Sequence, residues 1–266
     1  MKIYISADIE GTAATVNWPE TTPREPDYPY HCAEMTREVV SACKAAIEMG
    51  ADEILIKDAH GTATNLDVTK LPECAKIIRG WEGHPYMMVQ GIDSSFDAVM
   101  FIGYHSEAGS PGNPLSHTMT KRTQHVRMNG EYLSEFQLYS MCAALEGVPT
   151  VFLSGDKALC EKSRERYPWL ETVAVKEGVG DSVICQSPER VQKLIYEGVK
   201  KALSGNPAET PVAEIPSHFE VELEYKEHAE AARMGYFPGV TRVGSHTVRF
   251  ESDDFFEVAR TLKFIL

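Results

Sequence analysis

Met1-Lys2-Ile3-Tyr4-Ile5-Ser6-Ala7-Asp8-Ile9-Glu10-Gly11 opens the chain with an apolar strand that ends in two carboxylates two positions apart. Side chains alternate faces along a strand, so Asp8 and Glu10 project to the same side just where Gly11 frees the backbone to turn. Two like charges on one face repel each other. A bound cation would remove that cost, and carboxylate pairs are common ligands of hard metals. Taken alone, the motif fits a strand that runs out into solvated acids equally well.

The same arrangement recurs twice. Glu53-Ile54-Leu55-Ile56-Lys57-Asp58-Ala59-His60-Gly61 is a buried-strand run that ends in Asp, His and Gly, and Asp97-Ala98-Val99-Met100-Phe101-Ile102-Gly103-Tyr104-His105 ends in a histidine. In open α/β sheets, ligands sit in the crevice beyond the carboxyl ends of parallel strands. Three such ends would gather Asp8, Glu10, His60 and His105. A lone loop histidine is usually a satisfied polar residue, but three coincident strand ends favour a metal site.

Working outward, Tyr30 to Met49 reads as a helix with Val39, Val40, Cys43, Ala46 and Ile47 on its apolar side and Gly50 as its cap. Further units follow: a strand over 97–104, a helix over 133–146, a strand over 150–154, a helix near 156–166, a strand over 172–175 and a helix over 188–203. This alternation predicts an α/β fold, a mostly parallel sheet with helices on both faces. The Ser204–Pro211 stretch reads as a linker. It separates an α/β catalytic domain, 1–204, from a small C-terminal α+β subdomain, 212–266, with strand-like runs at 218–225 and 240–250 and a helix from Asp253. The segment from Thr12 to Pro29 carries prolines at 19, 23, 26 and 29 and leaves directly from the carboxylate strand, the position of a lid or a subunit contact.

Composition narrows the function without naming it. Thirty-nine acidic against 26 basic residues give a net charge of −13, a field that repels phosphate backbones, so nucleic acid is a poor candidate partner. Apolar runs are strand-length, short of the roughly 18 residues of a membrane span, so no membrane insertion is expected. The six cysteines, at 32, 43, 74, 142, 160 and 185, show no Cys-x-x-Cys spacing, and the strand at residue 2 leaves no room for a signal peptide. Reduced thiols and a cytoplasmic location are expected.

Ser6-Ala7-Asp8-Ile9-Glu10-Gly11 resembles the Ser-x-Asp-x-Glu-Gly signature of the DppA-type D-aminopeptidase family, a group of binuclear zinc peptidases. The similarity continues through Lys57-Asp58-Ala59-His60-Gly61, Ile102-Gly103-Tyr104-His105, Leu115-Ser116-His117-Thr118 and Asn129-Gly130-Glu131-Tyr132-Leu133-Ser134-Glu135, most of the first 155 residues in order. The resemblance implies two Zn2+ ions per chain held by Asp8, Glu10, His60, His105 and Glu135, with Asp8 bridging, and a catalytic histidine at His117. It also implies short peptides with an N-terminal D-amino acid as substrates, D-Ala-D-Ala among them, and a homo-oligomer, a decamer of two stacked pentamers.

Catalytic zinc takes His and carboxylate ligands and keeps a position open, and two such ions can activate water and polarise a carbonyl. By itself Glu135 would be a first-turn helix acid favoured by the macrodipole. His117 lies in a Pro- and Gly-rich loop, where it can serve as nucleophile, as proton donor to the leaving amine or as oxyanion stabiliser. A metal-activated water makes a histidine adduct redundant, which favours the last two roles, although the resemblance points to a nucleophile. His125 is the nearest competitor and sits in a strand-like stretch. Asp58 either orients an imidazole or caps a loop. Other signatures fail: no His-Glu-x-x-His, no Pro-Cys-x-x-Cys after His105-Ser106-Glu107, no complete dinucleotide fingerprint and no P-loop. Besides the D-aminopeptidase, a two-metal phosphoesterase and a non-enzymatic peptide- or metal-binding protein fit the same residues.

Overall fold

A computed structural model describes residues 1–266. Its main sheet has seven strands in the order β3-β2-β1-β4-β7-β8-β9. They are β1 (Lys2–Ala7), β2 (Glu53–Asp58), β3 (Ala75–Ile78), β4 (Ala98–Tyr104), β7 (Thr150–Asp156), β8 (Glu171–Val179) and β9 (Ser182–Cys185). Every pairing is parallel except β8–β9. The chain runs outward from β1 to β2 and β3, then returns to the other side of β1 with β4. The order therefore reverses between β1 and β4, which makes their carboxyl ends a topological switch point.

Helices α1 (Tyr28–Glu48) and α4 (Pro188–Ala202) cover one face, where Ile3, Ile5, Ile54, Ile56, Met100 and Ile102 pack against Met35, Val39, Val191 and Ile195. On α1 the buried stripe is Met35, Val39, Ala42, Cys43 and Ala46. Ile47 is instead 39% exposed and Val40 half-buried, because α4 packs on the side shared with the small residues. On the other face Phe101, Tyr104 and Leu153 pack against α2 (Glu135–Leu145) and α3 (Lys157–Arg166). Parallel strands covered on both sides read as continuous apolar runs, as β4 and β7 do.

The second sheet has the order β11-β12-β10-β5-β6. It draws β5 (Thr123–Met128) and β6 (Glu131–Tyr132) from the first half of the chain and β10 (Phe219–Tyr225), β11 (Thr241–Arg242) and β12 (Thr247–Ser252) from the second. Residues 212–266 therefore do not build a sheet of their own, and a division at the 204–211 linker cuts through this layer. The physical reason is edge pairing: β10 lies between β12 and β5, with Val221 opposite Met128 and Leu223 opposite Val126, which satisfies both of its ladders. The alternation of β10 buries Phe219, Val221, Leu223 and Tyr225 against α6 (Phe255–Ile265), and α5 (His228–Met234) closes the same side. No helix is long and apolar enough to cross a membrane, and all six cysteines are free thiols.

Candidate metal centre

The switch point is closed by two glycines. A Cβ on Gly11 would stand 1.8 Å from Tyr104 O, and one on Gly103, at φ +73°, would stand 2.3 Å from Asp8 O. With only hydrogens there, the Gly11 amide donates to Gly103 O at 2.8 Å and the Asp8 amide to Ile102 O at 2.9 Å. The ends of β1 and β4 are thereby locked side by side, with Asp8 and Glu10 next to His105.

Six side chains meet in this crevice. His60 Nδ1 lies 3.3 Å from Asp8 Oδ1 and 3.0 Å from Glu10 Oε2. His105 Nε2 lies 3.4 Å from Asp8 Oδ2 and 3.4 Å from Glu135 Oε2. His117 Nε2 is 3.5 Å from Glu135 Oε1, and its ring stacks on His105 with centroids 4.3 Å apart. Two overlapping sets, Asp8–Glu10–His105 and His105–His117–Glu135, each offer one ligand atom per residue, all within 4.8 Å of one another.

Asp8 Oδ2, Glu10 Oε2 and His105 Nε2 are buried and make no well-formed hydrogen bond, although opposite partners stand close by. The ligand-type atoms of these three residues lie within 4.8 Å of one another, and buried polar atoms left unpaired are costly. The charges show the same demand. Burial alone would raise the Asp8 carboxyl, yet the adjacent His105 and His60 imidazoles hold it below the usual range. Burial alone would lower both imidazoles. The negative charge of Glu10 on His60, and of Glu135 on His105, outweighs it and pushes each well above its ordinary value. A cluster that forces positive charge onto its histidines is one that divalent cations would fit.

Backbone carbonyls orient the imidazoles. His60 Nε2 lies 2.7 Å from Thr21 O, His105 Nδ1 2.9 Å from Ser106 O and His117 Nδ1 2.9 Å from Leu115 O, so each ring presents its other nitrogen to the crevice. Asp58 does not touch an imidazole. Its carboxylate accepts from the Asn65 and Leu66 amides and from Asn65 Nδ2, which also donates to His60 O, so it is a loop cap that fixes the segment carrying His60. Glu135 is the first residue of α2, after the Ser134 cap, and accepts from the Met119 amide at 2.6 Å. His125 lies within β5, away from the cluster, and packs on Tyr132.

Several supporting residues carry no sequence signature. Glu10 O accepts from buried Lys176 Nζ and from Asn113 Nδ2 at 3.1 Å, and Lys176 also holds Thr15 O. Burial lowers the Lys176 ammonium to about 8. Only the apolar run of β8 extending into a lysine hinted at a buried charge. The proline-rich segment after Gly11 forms a short 3-10 turn, Trp18–Thr21, closed by reciprocal Asn17–Glu20 hydrogen bonds. Trp18 meets His117 edge-on at 5.3 Å. Trp18, Trp81, Met87 and Met119 join Asp8, Glu10, His60, His117 and Glu135 around a cavity of about 520 Å³.

Fold and cluster together define an α/β protein with a buried carboxylate–imidazole centre whose donor set suits a borderline divalent ion such as Zn2+. A family profile described as D-aminopeptidase matches residues 1–264. A D-aminopeptidase of Bacillus subtilis (strain 168) is 29% identical over 264 residues, 98% of this chain and 95% of the relative. The solved structure of the Zn-dependent D-aminopeptidase DppA from Bacillus subtilis, described as a self-compartmentalizing protease, superposes with a TM-score of 0.92 at 28% identity, covering all of this chain and 96% of that one. The chain belongs to the D-aminopeptidase family, a family of peptide hydrolases.

Proposed function

We propose that this chain is a zinc-dependent D-aminopeptidase that releases the N-terminal D-residue of short peptides such as D-Ala-D-Ala. The observation that carries the reading is the set of three unpaired buried atoms, Asp8 Oδ2, Glu10 Oε2 and His105 Nε2, at the switch point of a family member. Asp8, Glu10, His60, His105 and Glu135 would hold two zinc ions. Asp8 suits the bridging position because its two oxygens face different imidazoles, His60 and His105. When bound, the pair would supply a Lewis acid for the scissile carbonyl and make a water more acidic.

His117 is the proton carrier in this reading. Its Nδ1 is committed to Leu115 O, which leaves Nε2 at the cavity to take a proton and deliver it to the leaving amine. Trp18 and the stacked His105 fix the ring from two sides. The Glu135 carboxylate stands 3.5 Å from its Nε2. The acidic field of the chain favours substrates with a free amino group.

Assembly into a ring, two stacked pentamers by resemblance, would shelter the sites from folded proteins. It is supported by exposed Tyr236 and Phe264, 91% and 57% accessible, the latter stacked on Phe237. Light scattering should then give a mass many times 29.6 kDa. Free thiols accord with a cytoplasmic site of action.

The test of function is an assay on D-Ala-D-Ala, L-Ala-L-Ala and a nitrophenyl phosphate, each with and without chelator. Chelator-sensitive cleavage of the D-dipeptide alone is expected. Cleavage of the phosphate alone would replace this reading with a phosphoesterase.

A further inference from the structure

A second cavity, of about 250 Å³, opens beside the metal-centre cavity. Met87, Met119 and Thr120 line both, so the two share a wall. Their chemistry is opposite. The larger one contains Asp8, Glu10 and Glu135, whereas the smaller is lined chiefly by Met87, Met119, Leu138, Tyr139, Leu262 and Leu266, with Lys263 its one charged side chain.

The two methionines on the boundary are held in an unusual way. Met87 has φ +33° and Met119 φ +61°, left-handed backbone that residues with a side chain rarely adopt and that persists where the surroundings impose it. The Met119 amide is fixed by Glu135 Oε1, and its sulfur accepts from the buried Tyr139 hydroxyl at 3.1 Å. One residue thus ties a carboxylate of the metal cluster to the wall of the apolar cavity. Thioether side chains pack against varied apolar shapes.

We infer that this side cavity is a specificity subsite that receives a large apolar side chain of the substrate, leucine- or phenylalanine-like, adjacent to the scissile bond. The inference rests on the D-aminopeptidase reading and adds the substrate class: D-peptides with a bulky apolar residue next to the bond rather than alanine alone. A peptide carbonyl at the cluster lies beside the Met87–Met119 boundary, and an apolar side chain reaching past it leaves water for a largely apolar cavity. Alanine is too short to fill it. Each methylene recognised in such a pocket changes selectivity by about tenfold or more.

The experiment uses the zinc-loaded protein and D-Ala-D-Ala, D-Leu-D-Ala and D-Ala-D-Leu as substrates, with D-leucine and D-alanine binding measured by calorimetry. Wild type should prefer one leucine-containing peptide by about tenfold or more in kcat/KM and bind D-leucine more tightly than D-alanine. Leu266→Trp, at the end of the chain, fills the cavity and should bring both ratios toward one. Leu262→Ala enlarges it and should shift preference toward D-phenylalanine. Equal ratios in wild type and Leu266→Trp would overturn the subsite. Absence of any D-peptide cleavage would instead defeat the D-aminopeptidase reading, with the calorimetric comparison still deciding whether the cavity takes the leucine side chain.

Discussion

The proposed metal centre has two halves built in different ways. Asp8, Glu10, His60 and His105 stand at or just beyond the ends of β1, β2 and β4, positioned by parallel ladders and by the close approach of Gly11 and Gly103. His117, Met119 and Glu135 come from a loop and the first turn of α2, held by a ring stack, a backbone amide and a helix cap. The sheet half is fixed by the fold itself. The other half is fixed by the packing and cap of α2 and by a few contacts around the His117 loop. A rigid half suits ion binding, where donor positions must be preorganised. A half secured by a few contacts suits a group that must handle protons and accommodate substrate.

The largest effect should come from the sheet half. Asp8→Ala removes the residue whose two oxygens serve two imidazoles, so activity should fall to background and most bound zinc should be lost, whereas Glu10→Ala should weaken one ion more than the other. Metal analysis of the purified variants checks this. Two zincs per chain in Asp8→Ala would place the centre elsewhere.

His117→Ala probes the loop half. Metal occupancy should persist while kcat drops by about 10²–10⁴, the range for losing a general acid–base or an oxyanion contact. If metal and rate fall together, His117 is a ligand, as its place in the His105–His117–Glu135 set permits, and the contrast between the halves disappears.

The smallest effect concerns the support of the sheet half. Glu38 on α1 accepts the Ala13 amide just beyond the carboxylate strand, and burial pushes its carboxyl up to about 8. A carboxyl raised in the folded state binds its proton where the unfolded chain has released it, so stability falls as pH rises from about 4.5 toward 8. Lys176 does not mask this. Its lowered value makes stability rise only between about 8 and 10.5. Glu38→Gln should flatten the fall and raise Tm at pH 8 by roughly 2–4 °C, the shift expected of about 1 kcal/mol in a chain of this size. Thermal melts from pH 5 to 8 read this directly, and an unchanged slope would mean Glu38 is charged in the fold.

The same contrast explains what the sequence disclosed. The proposed ligands of the sheet half end strands whose apolar runs are local patterns, so Asp8, Glu10, His60 and His105 could be placed together from spacing alone. Glu135 and His117 needed the resemblance, because a first-turn acid and a loop histidine have ordinary explanations. Thr21, Ser106 and Met119 were invisible, since they act through a carbonyl or an amide that every residue possesses. The make-up of the second sheet was not legible for a related reason: β5 and β10 pair across about ninety residues, and periodicity reports a strand without naming its neighbour.

Zinc titration of chelated protein, with bound metal and D-Ala-D-Ala hydrolysis followed on the same samples, tests the central claim most directly. The account predicts negligible activity without metal, rising with added zinc until two ions per chain are bound, and no such rise in Asp8→Ala. Full activity in the metal-free protein, or saturation with activity at less than one zinc per chain, would contradict it.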